Sequence, residues 1–203
     1  VYGEVMDTLH VARGAGLELD TFAWKLEKVI LDFVVHAWRE PDEGIWEVRG
    51  PRRHFTHSKV LAWVAFDRMI KSAETFGLDG PVEHWRTVRQ QIHDDVCQKG
   101  YDRSRRTFTQ YYGAEDVDAS LLQIPLVGFL PCEDPRVAGT ITAIERQLMQ
   151  DGFDDRYRTR DEVDGLPAGE GAFLACSFWL ADTYVLHGRQ AEALALFERL
   201  LSL

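Results

Sequence analysis

Cysteine is scarce in this sequence, and its placement argues against two kinds of site. The three cysteines, Cys97, Cys132 and Cys176, lie far apart, and none belongs to a CxxC pair. Such a set supports neither a disulfide framework nor a zinc site, and it favours a reducing compartment. We therefore expect a cytoplasmic protein.

Long apolar runs and excess positive charge are lacking as well. No stretch approaches about 18 consecutive apolar residues and no signal-peptide pattern is present, so we expect neither a membrane span nor a targeting segment. The chain has 33 acidic against 23 basic residues, a formal net charge of −10. Because a field of that sign repels nucleic acid and anionic membranes, the sequence predicts neither of them as a partner.

Strand-like alternation is almost absent, and helical periodicity fills most of the chain instead. Pro125 lies within one apolar stretch, where it should kink the helix or end it early. Apolar residues at helical spacing, bounded by Gly and Pro, predict an all-α protein. The predicted helices cover about residues 2–14, 21–38, 56–76, 82–97, 117–129, 135–150, 171–186 and 189–203.

These helices form successive pairs in which one member tends to be the more apolar. The segments "SKVLAWVAFDRMI" and "GAFLACSFWLAD" have broad apolar faces, whereas "VEHWRTVRQQIHDDV" is amphipathic. Apolar inner helices that alternate with amphipathic outer ones predict an α/α toroid or an arc of one, and an α-solenoid is the competing architecture. We predict that residues 1–203 form a single α/α-toroid domain portion of about four helical hairpins.

Most of the candidate functional acids lie in or beside three long connections between helices. The connections span residues 39–55, 100–116 and 151–170. Each leads from an outer to an inner helix, so in a toroid they would gather at one mouth, and long loops on a rigid scaffold often carry function. The acids that we single out are Glu47, Asp118, Glu162 and Glu170.

Trp46 and Glu47 are adjacent in the glycine-containing segment "DEGIWEVRG". An indole excludes water from a neighbouring carboxyl group and so favours its protonated form, and a sugar ring packs well against an indole. Glu170 precedes a helix N-terminus, where the helix dipole favours the ionised form. One protonated and one ionised carboxyl group is the arrangement that glycoside hydrolysis needs.

Each of these residues also has a purely structural interpretation when it is taken alone. Glu47 can be a solvated loop acid, Trp46 a core anchor, Glu170 a helix cap and Glu162 a solvated turn residue. The segment "RGPRRH" resembles a phosphate-binding patch, but the surrounding acids and the lack of a glycine-rich cradle argue against that use.

Two other kinds of chemistry find little support. His54 and His57 stand three residues apart without an HExxH motif or a matched carboxylate, which argues against a metal site. The sequence has no Gly-x-Ser-x-Gly motif and no cysteine in a nucleophile context, so acyl transfer is not expected.

Three segments resemble, in the same order, segments of glycoside hydrolase family 15, the bacterial glucoamylase-like and trehalase-like enzymes. They are "VYGEVMDTL", "GIWEVRGPRRHFTHSKVLAWVAFDR" and "DGLPAGEGAFLACSFWLADTYVLHGR". The resemblance covers nearly the whole chain. It implies an (α/α)6 toroid and inverting hydrolysis of α-glucosides. It also implies that Glu47 is the general acid and Glu170 the general base, with Glu162 as the less favoured base.

In that reading Trp46 would stack on the sugar. His57, Lys59 and Asp118, which lie at the entries to inner helices, are candidates for contacts with sugar hydroxyls. The chemistry requires no cofactor and no metal. Compared with the family, we expect this chain to lack the N-terminal hairpins and a β-domain. It would then hold both catalytic carboxylates but only part of the pocket wall, and unclosed flanks would promote self-association.

The sequence therefore predicts an exo-acting, inverting α-glucoside hydrolase of the glucoamylase type, which releases glucose from the ends of an α-glucan or oligosaccharide. A trehalase of the same family is an alternative, in which trehalose replaces the oligosaccharide as the partner. A noncatalytic helical binding or scaffold module is the alternative from another class.

Overall fold

The computed structural model of the chain describes residues 1–18, 20–47, 50–157 and 173–203. It confirms the all-α fold class, because most of these residues lie in helices. The helices are α1 (Tyr2–Gly14), α2 (Thr21–Ala37), α3 (Thr56–Phe76), α4 (Val82–Lys99), α5 (Gln123–Leu126), α6 (Pro135–Leu148), α7 (Leu174–Leu186) and α8 (Gln190–Leu201). Two short antiparallel hairpins pair β1 (Tyr101–Asp102) with β2 (Thr107–Phe108), and β3 (Met149–Gln150) with β4 (Phe153–Asp154).

The fifth predicted helix, residues 117–129, differs most from its prediction. A 3₁₀ helix, Ala119–Leu122, leads directly into α5, which ends at Leu126. Asp118 has extended backbone angles and begins this segment as an N-cap. Pro125 has no backbone N–H to donate, which interrupts helical hydrogen bonding here. The predicted early end of this helix is confirmed, because α5 stops at Leu126 and not at residue 129.

The chain divides into two compact units. The first comprises Val1–Pro41 and Ser58–Cys97, and the second comprises Asp42–His57 and Gln98–Leu203. The prediction of a single toroid portion over residues 1–203 stays a prediction.

The first unit packs α1, α2, α4 and most of α3 around large side chains. The Asp20 carboxylate accepts a 2.8 Å bond from the Phe22 amide and so starts α2. Trp24 meets the ring of Trp85 edge-on, with centroids 6.2 Å apart, and its indole N–H donates to the Asp79 carbonyl at 2.9 Å. Both tryptophans are buried, so they join α2 and α4 within this unit.

The second unit packs α6 and α7 against the short strands and α8. The Thr140 hydroxyl on α6 accepts a 2.9 Å bond from the Phe108 amide of β2. Ser177 on α7 accepts a 2.8 Å bond from the amide of Asp154 in β4. These bonds attach Phe108 of the second long connection to α6 and Asp154 of the third to α7.

Over the described residues, no helix is both long enough and apolar enough to cross a membrane. The cytoplasmic location stays a prediction.

Candidate active site

A tight turn at residues 42–47 presents Trp46 and Glu47. The Gly44 amide donates to the Asp42 carboxylate at 2.7 Å, and the Glu47 amide donates to the Gly44 carbonyl at 3.3 Å. Gly44 has φ +73°, and a Cβ atom there would lie 3.0 Å from the ring of Phe55. Glycine is therefore needed at this position for both its backbone angle and its small size.

The indole of Trp46 is held by the carboxylate of Asp118, which lies just after the second long connection. Its Nε1–H lies 3.1 Å and 3.0 Å from the two carboxylate oxygens of Asp118. The same carboxylate accepts a 3.0 Å bond from the Gln110 side chain and a 2.8 Å bond from the Ser120 amide. Asp118 thus caps the 3₁₀ helix and anchors Trp46 at the same time.

Other aromatic rings and one cation surround the same indole; we call Trp46, Arg156, Tyr157, Phe173 and Trp179 the Trp46 cluster. Ring centroids lie 6.5 Å from Trp46 for Tyr157, 5.6 Å for Phe173 and 6.2 Å for Trp179. The Arg156 guanidinium lies 5.6 Å from the Trp46 centroid. Trp46 itself is only half-buried, so part of its surface stays accessible.

Described parts of the three long connections lie close together around Trp46. Trp46 comes from the first connection, and Asp118, just after the second, accepts from Gln110 within it. Arg156 and Tyr157 lie in the third, and Phe173 stands just before α7. The arrangement combines flat apolar surfaces with charged and hydrogen-bonding groups, which is the usual composition of a small-ligand site.

Glu47 is exposed and has an unusual backbone conformation. Its φ angle is +49°, in the left-handed region that residues other than glycine seldom adopt. Such angles are concentrated at functional sites, where the surrounding structure holds them. The prediction that Trp46 excludes water from the Glu47 carboxylate stays a prediction. Glu162 and Glu170 lie outside the described residues, so their roles as candidate bases also stay predictions.

The predicted hydroxyl contacts fall in different parts of the chain. His57 is buried in the second unit, and burial lowers its pKa to about 3, so this imidazole is neutral at neutral pH. Lys59 is buried in the first unit and its ammonium group donates to the Glu40 carbonyl. Contacts of these side chains, or of Asp118, with sugar hydroxyls stay predictions.

Sequence reasoning did not identify several residues of the site. One of them, Gln110, donates to Asp118. The others lie around the Trp46 indole and are Arg156, Tyr157, Phe173 and Trp179. The available signal was the concentration of aromatic residues beside the second and third long connections. Among the described residues, no group of three or more His, Cys, Asp or Glu is placed to hold a metal ion.

Fold and site together define a helical protein whose loops build an aromatic and acidic cluster. Residues 1–203 match the family model described as Glycosyl hydrolases family 15. The chain therefore belongs to glycosyl hydrolase family 15.

Curated relatives support this membership. The chain is 43% identical over 202 residues to a trehalase of Mycobacterium tuberculosis. This alignment covers 100% of the present chain but only 30% of that trehalase. It is 41% identical over 202 residues to a trehalase of Mycolicibacterium smegmatis, again with 100% and 30% covered. It is 35% identical over 201 residues to a trehalase of Thermoplasma volcanium, with 98% and 32% covered. The chain thus spans about a third of the length of these relatives.

Solved structures show the same fold. A wild-type glycosidase superposes with a TM-score of 0.80 at 21% identity, over 95% of this chain and 50% of that one. A glutamate-to-alanine variant of a glycosidase in complex with glucose gives the same TM-score, identity and coverage. Together with the family match, this likeness supports the predicted α/α-toroid type of all-α fold.

Proposed function

We propose that this chain carries the catalytic acids of an inverting trehalase, which hydrolyses the α-glucosidic bond of trehalose. The observation that carries the proposal is 43% identity over 202 residues to a protein named trehalase, with further trehalases at 41% and 35%. These relatives favour the trehalase alternative over the glucoamylase-like prediction. Hydrolysis of α-glucan ends is therefore the second candidate.

The proposed chemistry uses two carboxyl groups on opposite sides of the scissile bond. Glu47 donates a proton to the glycosidic oxygen as the bond to the anomeric carbon breaks. Glu170 removes a proton from a water molecule, which attacks that carbon from the opposite face. An inverting pair leaves about 6.5–9.5 Å between the carboxyl groups for this water, and no metal or cofactor is needed.

The geometry around Trp46 supports a sugar site beside Glu47. Trp46 is fixed by Asp118 and by neighbouring rings, while remaining half-buried. A rigid aromatic surface suits the apolar face of a glucose ring, and the adjacent residue is the proposed acid. We propose that trehalose binds with one glucose ring against Trp46.

The substrate and stereochemistry can be tested in one experiment. The protein is incubated separately with trehalose, maltose and longer maltooligosaccharides, and proton NMR follows the anomers before mutarotation. Inverting cleavage of trehalose releases one β-glucose, from the ring that water attacks, and one α-glucose, from the leaving group. Equal initial amounts of the two anomers are therefore expected. Initial α-glucose alone would exclude an inverting mechanism, and preferential cleavage of maltooligosaccharides would favour the second candidate.

The role of Glu47 is tested with two substrates of different leaving-group ability. Glu47→Gln should lower kcat on trehalose by about 100-fold or more, because general acid catalysis typically contributes 10²–10⁴-fold. The loss on α-glucosyl fluoride should be much smaller, because fluoride needs little protonation to leave. Glu43→Gln is the matched control, since Glu43 lies in the same loop and pairs with Arg52 at 2.6 Å. Equal losses on both substrates would remove Glu47 from the role of acid.

A further inference from the structure

Asp118 is placed to control the orientation of Trp46 from a distant part of the sequence. The two residues are 72 positions apart, yet the indole N–H lies 3.0–3.1 Å from both carboxylate oxygens. Asp118 is only 2% exposed. Its two oxygens accept hydrogen bonds from donors within the protein.

The groups around Asp118 donate N–H bonds to both of its side-chain oxygens, so the site suits a side chain with two acceptor oxygens. The Trp46 N–H lies near both oxygens, Gln110 donates to Oδ2 and the Ser120 amide donates to Oδ1. Burial raises the pKa of this carboxyl group, while its hydrogen bonds with Ser120, Trp46 and Gln110 act in the opposite direction. An asparagine at this position would put an NH₂ group where Asp118 Oδ2 now accepts from Trp46 and Gln110. The Gln110 amide can rotate to offer its oxygen to that NH₂ group, but the indole N–H cannot accept, so one of the two Trp46 contacts is lost.

The other members of the Trp46 cluster restrain the remaining sides of the indole. Phe173 meets it edge-on at an interplanar angle of 81°, and Tyr157 and Trp179 lie tilted at 38° and 34°. Ring contacts limit translation, whereas the hydrogen bond to Asp118 is the polar contact among the described residues that fixes the direction of Nε1–H. The carboxylate therefore selects one rotation of the indole.

We propose that Asp118 is a positioning residue for the reaction, and this inference rests on the proposed function. By fixing Trp46 it sets the plane on which a glucose ring lies. Because Glu47 follows Trp46 directly and is held at φ +49°, the same bond also fixes the backbone from which the proposed acid extends. In this role Asp118 acts through Trp46, since its 2% exposure leaves little of the carboxyl group accessible to a sugar.

The first readout is independent of activity. The indole N–H signals of the protein, which has 6 tryptophans, are recorded by ¹H–¹⁵N NMR, and Trp46 is assigned from the signal lost in Trp46→Phe. In Asp118→Asn, the Trp46 signal should move upfield and exchange faster with solvent, whereas the indole signals from outside the Trp46 cluster stay in place. An unchanged Trp46 signal overturns the inference, whether or not the protein hydrolyses a sugar.

The second readout separates positioning from a loss of folded protein. Misplacement by about 1 Å can cost on the order of 100-fold in rate. Asp118→Asn should therefore lower kcat on trehalose by roughly 10- to 100-fold, with a smaller loss on α-glucosyl fluoride, which depends less on Glu47. Equal losses on both substrates indicate a merely structural role and overturn the inference.

Two further variants complete the design. Asp134→Asn is the matched control, because Asp134 also caps a helix by accepting the amide of the residue two positions on, at 2.9 Å. It should leave both readouts unchanged, and a similar effect would overturn the inference. Adding Gln110→Glu to Asp118→Asn supplies an acceptor for the new NH₂ group and should restore part of the Trp46 signal. Absence of hydrolysis in the wild type together with the shifted signal would contradict the proposed function alone.

Discussion

Asp154 is a buried carboxyl group that the proposed chemistry does not use. It is 0% exposed, and its two carboxylate oxygens have no hydrogen-bond partner within the described part of the chain. Burial, together with the charges of Asp155 and Glu145, raises its pKa to about 7. The group is therefore substantially protonated near neutral pH, and deprotonation leaves an uncompensated charge inside the second unit.

The raised pKa of Asp154 predicts a pH-dependent stability. Because the folded pKa of about 7 lies above the ordinary 3.8, the folded state binds the extra proton between these values and stability falls as the pH rises. Between pH 5 and pH 8 this group should lower the free energy of unfolding by roughly 2–3 kcal/mol. Asp154→Asn should remove that part of the decline, as measured by urea unfolding at both pH values.

A surface carboxylate gives the control for this experiment. Asp182→Asn on α7 changes the same charge at an exposed position and should keep the wild-type pH dependence. If Asp154→Asn declined as steeply as the wild type, the carboxyl group would not titrate in this range.

Among the structural elements, the turn at residues 42–47 depends most on a single small residue. Gly44 combines a positive φ angle with close approach to the Phe55 ring. This turn carries Trp46, whose position then depends on contacts made by Asp118 and the aromatic rings. A change at Gly44 should therefore affect both stability and the site.

Gly44→Ala should destabilise the protein more than alanine at another glycine with similar backbone angles. The matched control is Gly77→Ala, because Gly77 has φ +66° but no atom of the described residues lies within 4 Å of a Cβ placed there. The control should cost about 1 kcal/mol for its backbone angle. Gly44→Ala should cost about 1–3 kcal/mol more, because the added methyl group crowds Phe55. Urea unfolding measures both, and equal losses would show that Phe55 yields without cost.

At the scale of the whole molecule, the exposed apolar surface of α2 bears on assembly. Its members recur at helical spacing and are 51–72% exposed. They are Phe22, Leu26, Val29 and Phe33. A contiguous apolar stripe of this kind favours association, because burying it removes apolar surface from water.

We predict that copies of the chain associate through this stripe at high concentration. Phe22→Gln combined with Val29→Gln should shift the protein towards the monomer, as measured by sedimentation velocity over a range of concentrations. Glutamine leaves the net charge unchanged, so weaker association would reflect lost apolar surface. Leu17→Gln is the control, since Leu17 is 57% exposed but lies outside α2. A wild-type monomer at all concentrations would contradict the prediction.

The helix boundaries were largely predictable because they depend on local signals. Asp20 begins α2 and Pro135 follows the cap of α6, and both positions can be recognised from a few neighbouring residues. Apolar spacing of 3.6 residues supplied the rest, without knowledge of what each face contacts. The adjacency of Trp46 and Glu47 was likewise visible, because it needs only two consecutive residues.

The sequence by itself thus determined the all-α class, most helix limits and the segments that resemble the family. Only the tertiary structure decided that the residues around Asp118 form an extended cap with a short 3₁₀ turn, and that Asp118 binds an indole 72 positions away. It also decided that Asp154 is buried without a hydrogen-bond partner among the described residues. The physical reason is that these properties depend on hydrogen bonds and burial between distant segments, which local periodicity does not specify.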